Sequence, residues 1–470
     1  MYITGQGPVQ EDMFMRTITR NRFVRLLCLI LALAMLTACG NSNTSGEPTK
    51  AAEPTATATP TQAATPTEEP ATPTPTEEPA TPTPTEGPSE QDIWYNNMIA
   101  DSLMSDGNNA RLLRVLEKAK NGEDVYIATI GGSITEGAGA QLYLNCYAYS
   151  FYTAFAKEFG KDGGNNVHFI NAGLSGTPST LGVIRYERDV IGKNDGHKPD
   201  LVIIEFAVND ADDPTNGQTY EGLVRHVLQE ESEPAVILLF SVFKSKWNLQ
   251  DRLKPIGQYY DLPMVSVKDA VVPRLEDGSV TNYKYFADEY HPTNYGHKIM
   301  RDCLMNLIRT VAEQEKEEPV AIPEKALLSS AFDNVVMVGA DTEGVTVSAG
   351  GFKSKDANVF STAFEKDICF PENWMHGAAD GDEPFKVTAT CRSILLAYKK
   401  TTADSFGTVE ILVDGKVVKT VSGKEAGGWN NPYSLVLLNE AEAAEHTLEV
   451  RMAEGSESKE FTVLAVGIGR

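Results

Sequence analysis

Cysteine is scarce in this chain and poorly placed for its usual structural uses. Six occur in 470 residues, and the four beyond residue 39 (Cys146, Cys303, Cys369, Cys391) include no CxxC pair and no zinc-finger spacing. No metal site and no cofactor is therefore expected, and buried free thiols are the preferred reading, with Cys369–Cys391 the one pairing held open. Basic residues are also in deficit: 41 Lys and Arg face 65 Asp and Glu, a net charge of −24. That balance argues against nucleic acid and against adsorption to anionic lipid. No apolar stretch reaches the roughly 20 residues of a membrane-spanning helix. The run from Leu26 to Ala38 is only about a dozen long.

That short run has a different use. Arg16, Arg20, Arg22 and Arg25 precede it, and it ends Leu36-Thr37-Ala38-Cys39-Gly40. Residues 1–38 read as an export signal. The ending resembles a bacterial lipobox, which implies cleavage before Cys39 and a lipid on its sulfur. The mature protein would then be anchored at the extracellular face of the membrane rather than spanning it. From about residue 41 to 89 the composition collapses to Thr, Pro, Ala and Glu, as in Thr72-Pro73-Thr74-Pro75-Thr76-Glu77-Glu78-Pro79. Such a stretch cannot bury a core and is biased to extended polyproline II. Residues 39–90 are thus expected to be a lipid-anchored, disordered linker, reaching on the order of 150 Å at ~3.1 Å per residue.

The remaining chain is long enough for two domains. Over 91–317, apolar strand-like runs (Val125–Ile130, Val167–Asn171, Leu201–Phe206, Val236–Phe240, Met264–Val267) alternate with helical stretches near 144–159, 179–191, 219–231, 250–260 and 295–314. Residues 91–120, with Leu103, Leu112, Leu113 and Leu116 at helical spacing, read as two further helices. Strands that are apolar throughout and separated by helices indicate a parallel sheet covered on both faces, a three-layer α/β/α domain.

Four short blocks fall just after these strands or before the last helix. They are Gly131-Gly132-Ser133-Ile134-Thr135, Asn171-Ala172-Gly173-Leu174-Ser175-Gly176, Ala207-Val208-Asn209-Asp210 and Asp288-Glu289-Tyr290-His291-Pro292. Carboxyl ends of parallel strands form the ligand crevice of open α/β sheets. Ser133 follows two glycines that remove steric obstruction, so its hydroxyl is the candidate nucleophile and its N–H a candidate oxyanion donor. The Gly176 N–H and the Asn209 side-chain amide are the other two donors. His291 is the candidate base, because imidazole is the side chain suited to proton transfer near neutrality. Asp288, three residues earlier, can reach its second ring nitrogen. Singly, each block has an ordinary structural use, as a turn, an Asx cap or a loop glycine; together they hold the parts of acyl transfer. His297 and Glu289 are the competing base and acid, with His297 expected to be structural.

The four blocks resemble those of the SGNH (GDSL-like) hydrolase superfamily, whose Ser, Gly, Asn and His fall here on Ser133, Gly176, Asn209 and His291, with Asp288 matching the Asp of the last block. The resemblance implies a flavodoxin-like sheet of about five strands and ester hydrolysis through an acyl-enzyme. Two blocks depart from the family pattern. The usual Gly-Asp-Ser is Gly131-Gly132-Ser133, and the usual Gly-x-Asn-Asp is Ala207-Val208-Asn209-Asp210. Both changes alter pocket walls rather than reacting groups.

Beyond Pro323 the pattern becomes short alternating segments, among them Val345–Ser348, Thr408–Val413 and Phe461–Val466, with a hairpin signal at Val413-Asp414-Gly415-Lys416. An antiparallel β-sandwich is expected over 325–470, similar to C-terminal modules of secreted bacterial SGNH esterases. Trp374-Met375-His376 and Gly427-Gly428-Trp429-Asn430-Asn431-Pro432-Tyr433 read as loops whose aromatics stack on sugar, fill the core or face the hydrolase. The favoured partner is an O-acylated, in the first place acetylated, extracellular glycan. Two alternatives stay open: a lipase- or thioesterase-type acyl hydrolase, and a non-catalytic surface glycan-binding lipoprotein.

Overall fold

The computed structural model describes residues 87–362 and 368–470, so the segment read as an export signal, Cys39 and most of the expected linker lie outside the described residues. Its first half is built on a six-stranded sheet. Five strands are parallel: β2 (Val125–Gly131), β3 (Val167–Gly173), β4 (Leu201–Glu205), β5 (Ala235–Phe240) and β6 (Met264–Ser266). β1 (Leu103–Ser105) pairs antiparallel with β6 at one edge, and the spatial order is β1-β6-β5-β4-β2-β3. Among the parallel strands this is the flavodoxin-like winding, whose switch point lies beside its first strand. Here that strand is β2, flanked by β3 and β4.

Helices cover both faces because the central strands are apolar on both sides; every residue of β4 and β5 is buried. On one face lie α1 (Glu90–Ala100), α2 (Ala110–Asn121), α4 (Tyr147–Phe159) and α10 (Asn294–Ala312). On the other lie α5 (Ser179–Tyr186), α6 (Gln218–Leu228) and α7 (Gln250–Tyr259). The short helices α3 (Ser133–Glu136), α8 (Val267–Glu276) and α9 (Asn282–Tyr285) complete the set. The stretch 91–120 differs from the two-helix expectation: Leu103 lies in β1, not on a helix. Three residues are too few for either periodicity to show.

The second half is an all-antiparallel β-domain. Its strands are β7 (Val335–Met337), β8 (Val345–Ser348), β9 (Trp374–His376), β10 (Phe385–Thr401), β11 (Thr408–Val413), β12 (Lys416–Ser422), β13 (Trp429–Met452) and β14 (Phe461–Gly469). They are ordered β12-β11-β13-β10-β14-β7, with β8 on β10 and β9 on β14. Asp414 (φ 52°) and Gly415 (φ 75°) both adopt the left-handed backbone that the hairpin signal required. Two segments read as loops are strands: Trp374–His376 is β9, and Trp429–Tyr433 opens β13. Pro432 disguised the second. It pairs with Lys399 on β10, where β13 has no neighbour on its other side, so the missing N–H costs nothing.

The two halves share a core. Leu395, Ala397, Leu464 and Ala465 of the β-domain pack in one buried cluster with Ile184, Leu223 and Ile204 of the α/β body. Buried Glu221 accepts the backbone N–H groups of Leu327, Leu328 and Ser329 at 2.5–3.1 Å, which fixes the connecting segment. The four described thiols, Cys146, Cys303, Cys369 and Cys391, are free.

Candidate active site

Ser133 opens α3 directly past the carboxyl end of β2. Its Oγ lies 3.0 Å from His291 Nε2, and His291 Nδ1 lies 2.8 Å from Asp288 Oδ2. Asp288 Oδ1 also accepts the N–H groups of Tyr290 (2.7 Å) and His291 (2.8 Å), so the carboxylate holds the loop that carries the imidazole. Burial raises the Asp288 carboxyl, but these three donations outweigh it and hold the group below its ordinary value. It is then ionised and accepts only, so Nδ1 carries the proton and Nε2 is free to accept from the serine hydroxyl. Glu289, the competing acid, pairs instead with Lys244 Nζ at 2.7 Å.

His297 is structural. It is buried, accepts the Tyr147 N–H at Nδ1 (3.2 Å) and donates from Nε2 to the Ala138 carbonyl (3.1 Å). Burial brings its titration down to about 4, so it stays neutral.

Close backbone approach explains the first block's second glycine. A β-carbon on Gly132 would sit 2.4 Å from Asn209 Oδ1 and 2.6 Å from Nδ2, so Gly132 gives the Asn209 amide its place beside Ser133. Gly176 has φ +70°, a conformation glycine adopts without strain. A β-carbon there would lie 3.2 Å from Trp429 Cζ2. All three candidate donors are thus gathered at the ends of β2, β3 and β4. Asp210 Oδ1 accepts the Ser179 N–H at 2.7 Å, tying the loop of Asn209 to the start of α5, three residues beyond Gly176.

Several supporting groups left no local trace in the sequence. Arg185 is buried and donates to the Ala172 carbonyl (2.6 Å) and the Gly131 carbonyl (3.0 Å), bracing the ends of β2 and β3. Glu205 is buried below α3, where it accepts from Ser241 Oγ and, at 3.1 Å, from Thr135 Oγ1. Burial pushes its carboxyl up to about 7 against those two donations. The folded protein therefore keeps a proton that the unfolded chain releases near 4.5. Its contribution to stability is fully present below that value and is lost as pH rises through about 7. Glu205→Gln is expected to remove this slope. The melting temperature of the variant minus that of the wild type should grow between about pH 5 and about pH 8. A difference independent of pH would contradict the assignment.

Trp429 is exposed and stands edge-on to Phe360, with ring centroids 4.5 Å apart. With Glu136, Gln141, Tyr143, Ser175 and Phe360 it lines a groove of about 580 Å³ at the end of α3. Of the three uses considered for the β-domain aromatics, Trp429 faces the hydrolase. Trp374 instead packs on the sandwich core, 5.1 Å from the Phe385 ring.

A flavodoxin-like sheet with Asp288, His291 and Ser133 in one hydrogen-bonded chain past its strand ends is the arrangement expected of an SGNH hydrolase, and the comparisons agree. Residues 129–299 match the model of the GDSL-like Lipase/Acylhydrolase family. That match and the similarity described next support a serine esterase built on a GDSL-like acylhydrolase domain, which an antiparallel β-domain follows. It is similar to a two-domain esterase (CEX) active on acetylated mannans: TM-score 0.68 and 28% identity, over 79% of this chain and 98% of that one. The same esterase co-crystallized with mannopentaose gives TM-score 0.67 and 28% identity, over 79% and 97%. No curated protein matches the chain.

Proposed function

We propose that the protein is a carbohydrate acetylesterase that works through Ser133, His291 and Asp288 and removes acetyl groups from an extracellular polysaccharide. The observation that carries the proposal is the unbroken hydrogen-bonded chain from Asp288 through His291 to Ser133. The serine attacks the acetyl carbonyl while His291 takes its proton; the alkoxide of the sugar leaves with that proton, and water then discharges the acetyl-serine. The Ser133 and Gly176 N–H groups and the Asn209 amide bind the oxyanion. Similarity to the esterase active on acetylated mannans makes acetylated mannan the first substrate to test. The lipobox at Cys39 favours a lipid-anchored enzyme on the outer face of the membrane, its body held off by the linker.

Acetate released from acetylated mannan, xylan and peptidoglycan should be measured beside Ser133→Ala. Release from at least one polymer, absent in the variant, is expected. If none yields acetate while aryl esters are cleaved with a preference for octanoyl over acetyl, the lipid-ester reading replaces this one.

Asp288→Asn should lower kcat through loss of the correct tautomer. The expected loss is about ten- to a hundredfold, less than the ~10⁴ of a buried triad carboxylate, because the Asp288 side chain is 53% exposed and water can substitute in part. An unchanged kcat on aryl acetate would remove Asp288 from the mechanism.

A further inference from the structure

On the side of the serine away from Trp429, the hydrolase body carries a row of aromatic rings in which half-buried Phe243 rests on the core and the two outer rings, Tyr290 and Trp247, are exposed. The Tyr290 ring lies 6.2 Å from the His291 imidazole, Phe243 lies 5.1 Å from Tyr290, and Trp247 lies 5.9 Å from Phe243 at an interplanar angle of 28°. Tyr290 is 54% exposed and Trp247 37%. Rings of this size usually find burial in a core, so two exposed rings joined by a half-buried one beside a reacting centre need another account.

The row is also rigid. The loop after β5 is closed by Phe243 N–H donating to the Trp247 carbonyl (3.1 Å) and Lys246 N–H to the Phe243 carbonyl (2.8 Å). Asn248 Nδ2 holds the Ser241 carbonyl at 2.8 Å. The loop is fastened to the segment bearing the base through Lys244 N–H to the Glu289 carbonyl (3.2 Å) and Lys244 Nζ to the Glu289 carboxylate (2.7 Å). A surface fixed in this way loses little conformational freedom when it binds.

Topology sets its direction. In the order β5-β4-β2-β3, Trp429 stands over the turn after β3, Ser133 follows β2, and the ring row follows β5. A linear ligand laid across the strand ends would pass Trp429, the serine and then the row. We propose that Phe243, Trp247 and Tyr290 form a second sugar-binding subsite, which stacks on backbone residues of the polysaccharide on the far side of the acetylated one. The inference rests on the carbohydrate reading above. The amphipathic rings meet the apolar faces of pyranoses, and a net charge of −24 favours a neutral polymer over an acidic one.

The test compares Trp247→Ala and Trp247→Phe with the wild type in the full chain. The measured quantity is the ratio of kcat/KM on acetylated mannan to kcat/KM on aryl acetate. Trp247→Ala is expected to lower this ratio roughly five- to tenfold through KM, the cost of truncating one well-placed aromatic contact, and Trp247→Phe to restore most of it. An unchanged ratio overturns the subsite, including the case in which both activities fall together, which marks a structural role. Affinity electrophoresis in gels of deacetylated mannan separates this from the parent reading. If the wild type releases no acetate but is retarded and Trp247→Ala is not, the subsite stands and the acetylesterase falls. If the wild type releases acetate but deacetylated mannan and xylan retard it no more than Trp247→Ala, the subsite falls alone.

Discussion

Ser133→Ala is expected to lower kcat on aryl acetate by about 10⁴- to 10⁶-fold, leaving only what the oxyanion donors and binding supply. The size follows from the geometry. Ser133 Oγ is 3.0 Å from the nitrogen of His291 that lacks a proton, and His297 is engaged through both its nitrogens elsewhere. Among the described residues no other hydroxyl is hydrogen-bonded to His291. Water activated by His291 in the variant would lack the aim that α3 gives the serine. In the proposed mechanism the serine and the imidazole act as one unit, so His291→Ala should cost about as much, and the double variant little more than either single one. Both losses are read from steady-state kcat, with a circular dichroism spectrum to confirm folding. Losses that multiply would mean the two residues serve separate steps. A Ser133→Ala protein with near-normal kcat would end the assignment.

The site was legible because its parts sit where the backbone changes character. Ser133, Gly176 and Asn209 each follow an apolar run, and parallel strands bring the ends of such runs together. His291 follows no strand; the loop ahead of α10 carries it to Ser133, 158 residues away in sequence. The sheet was legible for the same cause, since strands buried on both faces are apolar throughout. β1 was not, because three residues carry no period, and Leu103 was absorbed into a helical pattern that belongs to its neighbours. The role of Trp429 had no local signal either. Its partner Gly176 lies in another domain, and Pro432 made the start of β13 look like a loop. Glu205 is a similar case: nothing in Leu201–Glu205 says that the carboxylate ends buried under the nucleophile's helix. Such facts are made by packing between distant segments, and tertiary context overrides local pattern there.

The second large effect concerns the oxyanion. In the proposed mechanism the Asn209 amide bonds the charge that develops in the transition state and not the substrate's neutral carbonyl, so Asn209→Ala is expected to reduce kcat about 10²- to 10³-fold with little change in KM. Gly132→Ala offers an independent route to the same loss. Its added methyl would lie 2.4–2.7 Å from the Oδ1, Nδ2 and Cγ atoms of Asn209, inside any permitted contact, so the amide must rotate away. The two substitutions then remove one interaction twice. In a double-mutant cycle the Gly132→Ala/Asn209→Ala enzyme should fall no further than Asn209→Ala alone, since truncating the side chain relieves the clash. If the losses instead multiply, Gly132 acts on something other than Asn209, and the adjoining Ser133 N–H becomes the donor whose placement the glycine protects.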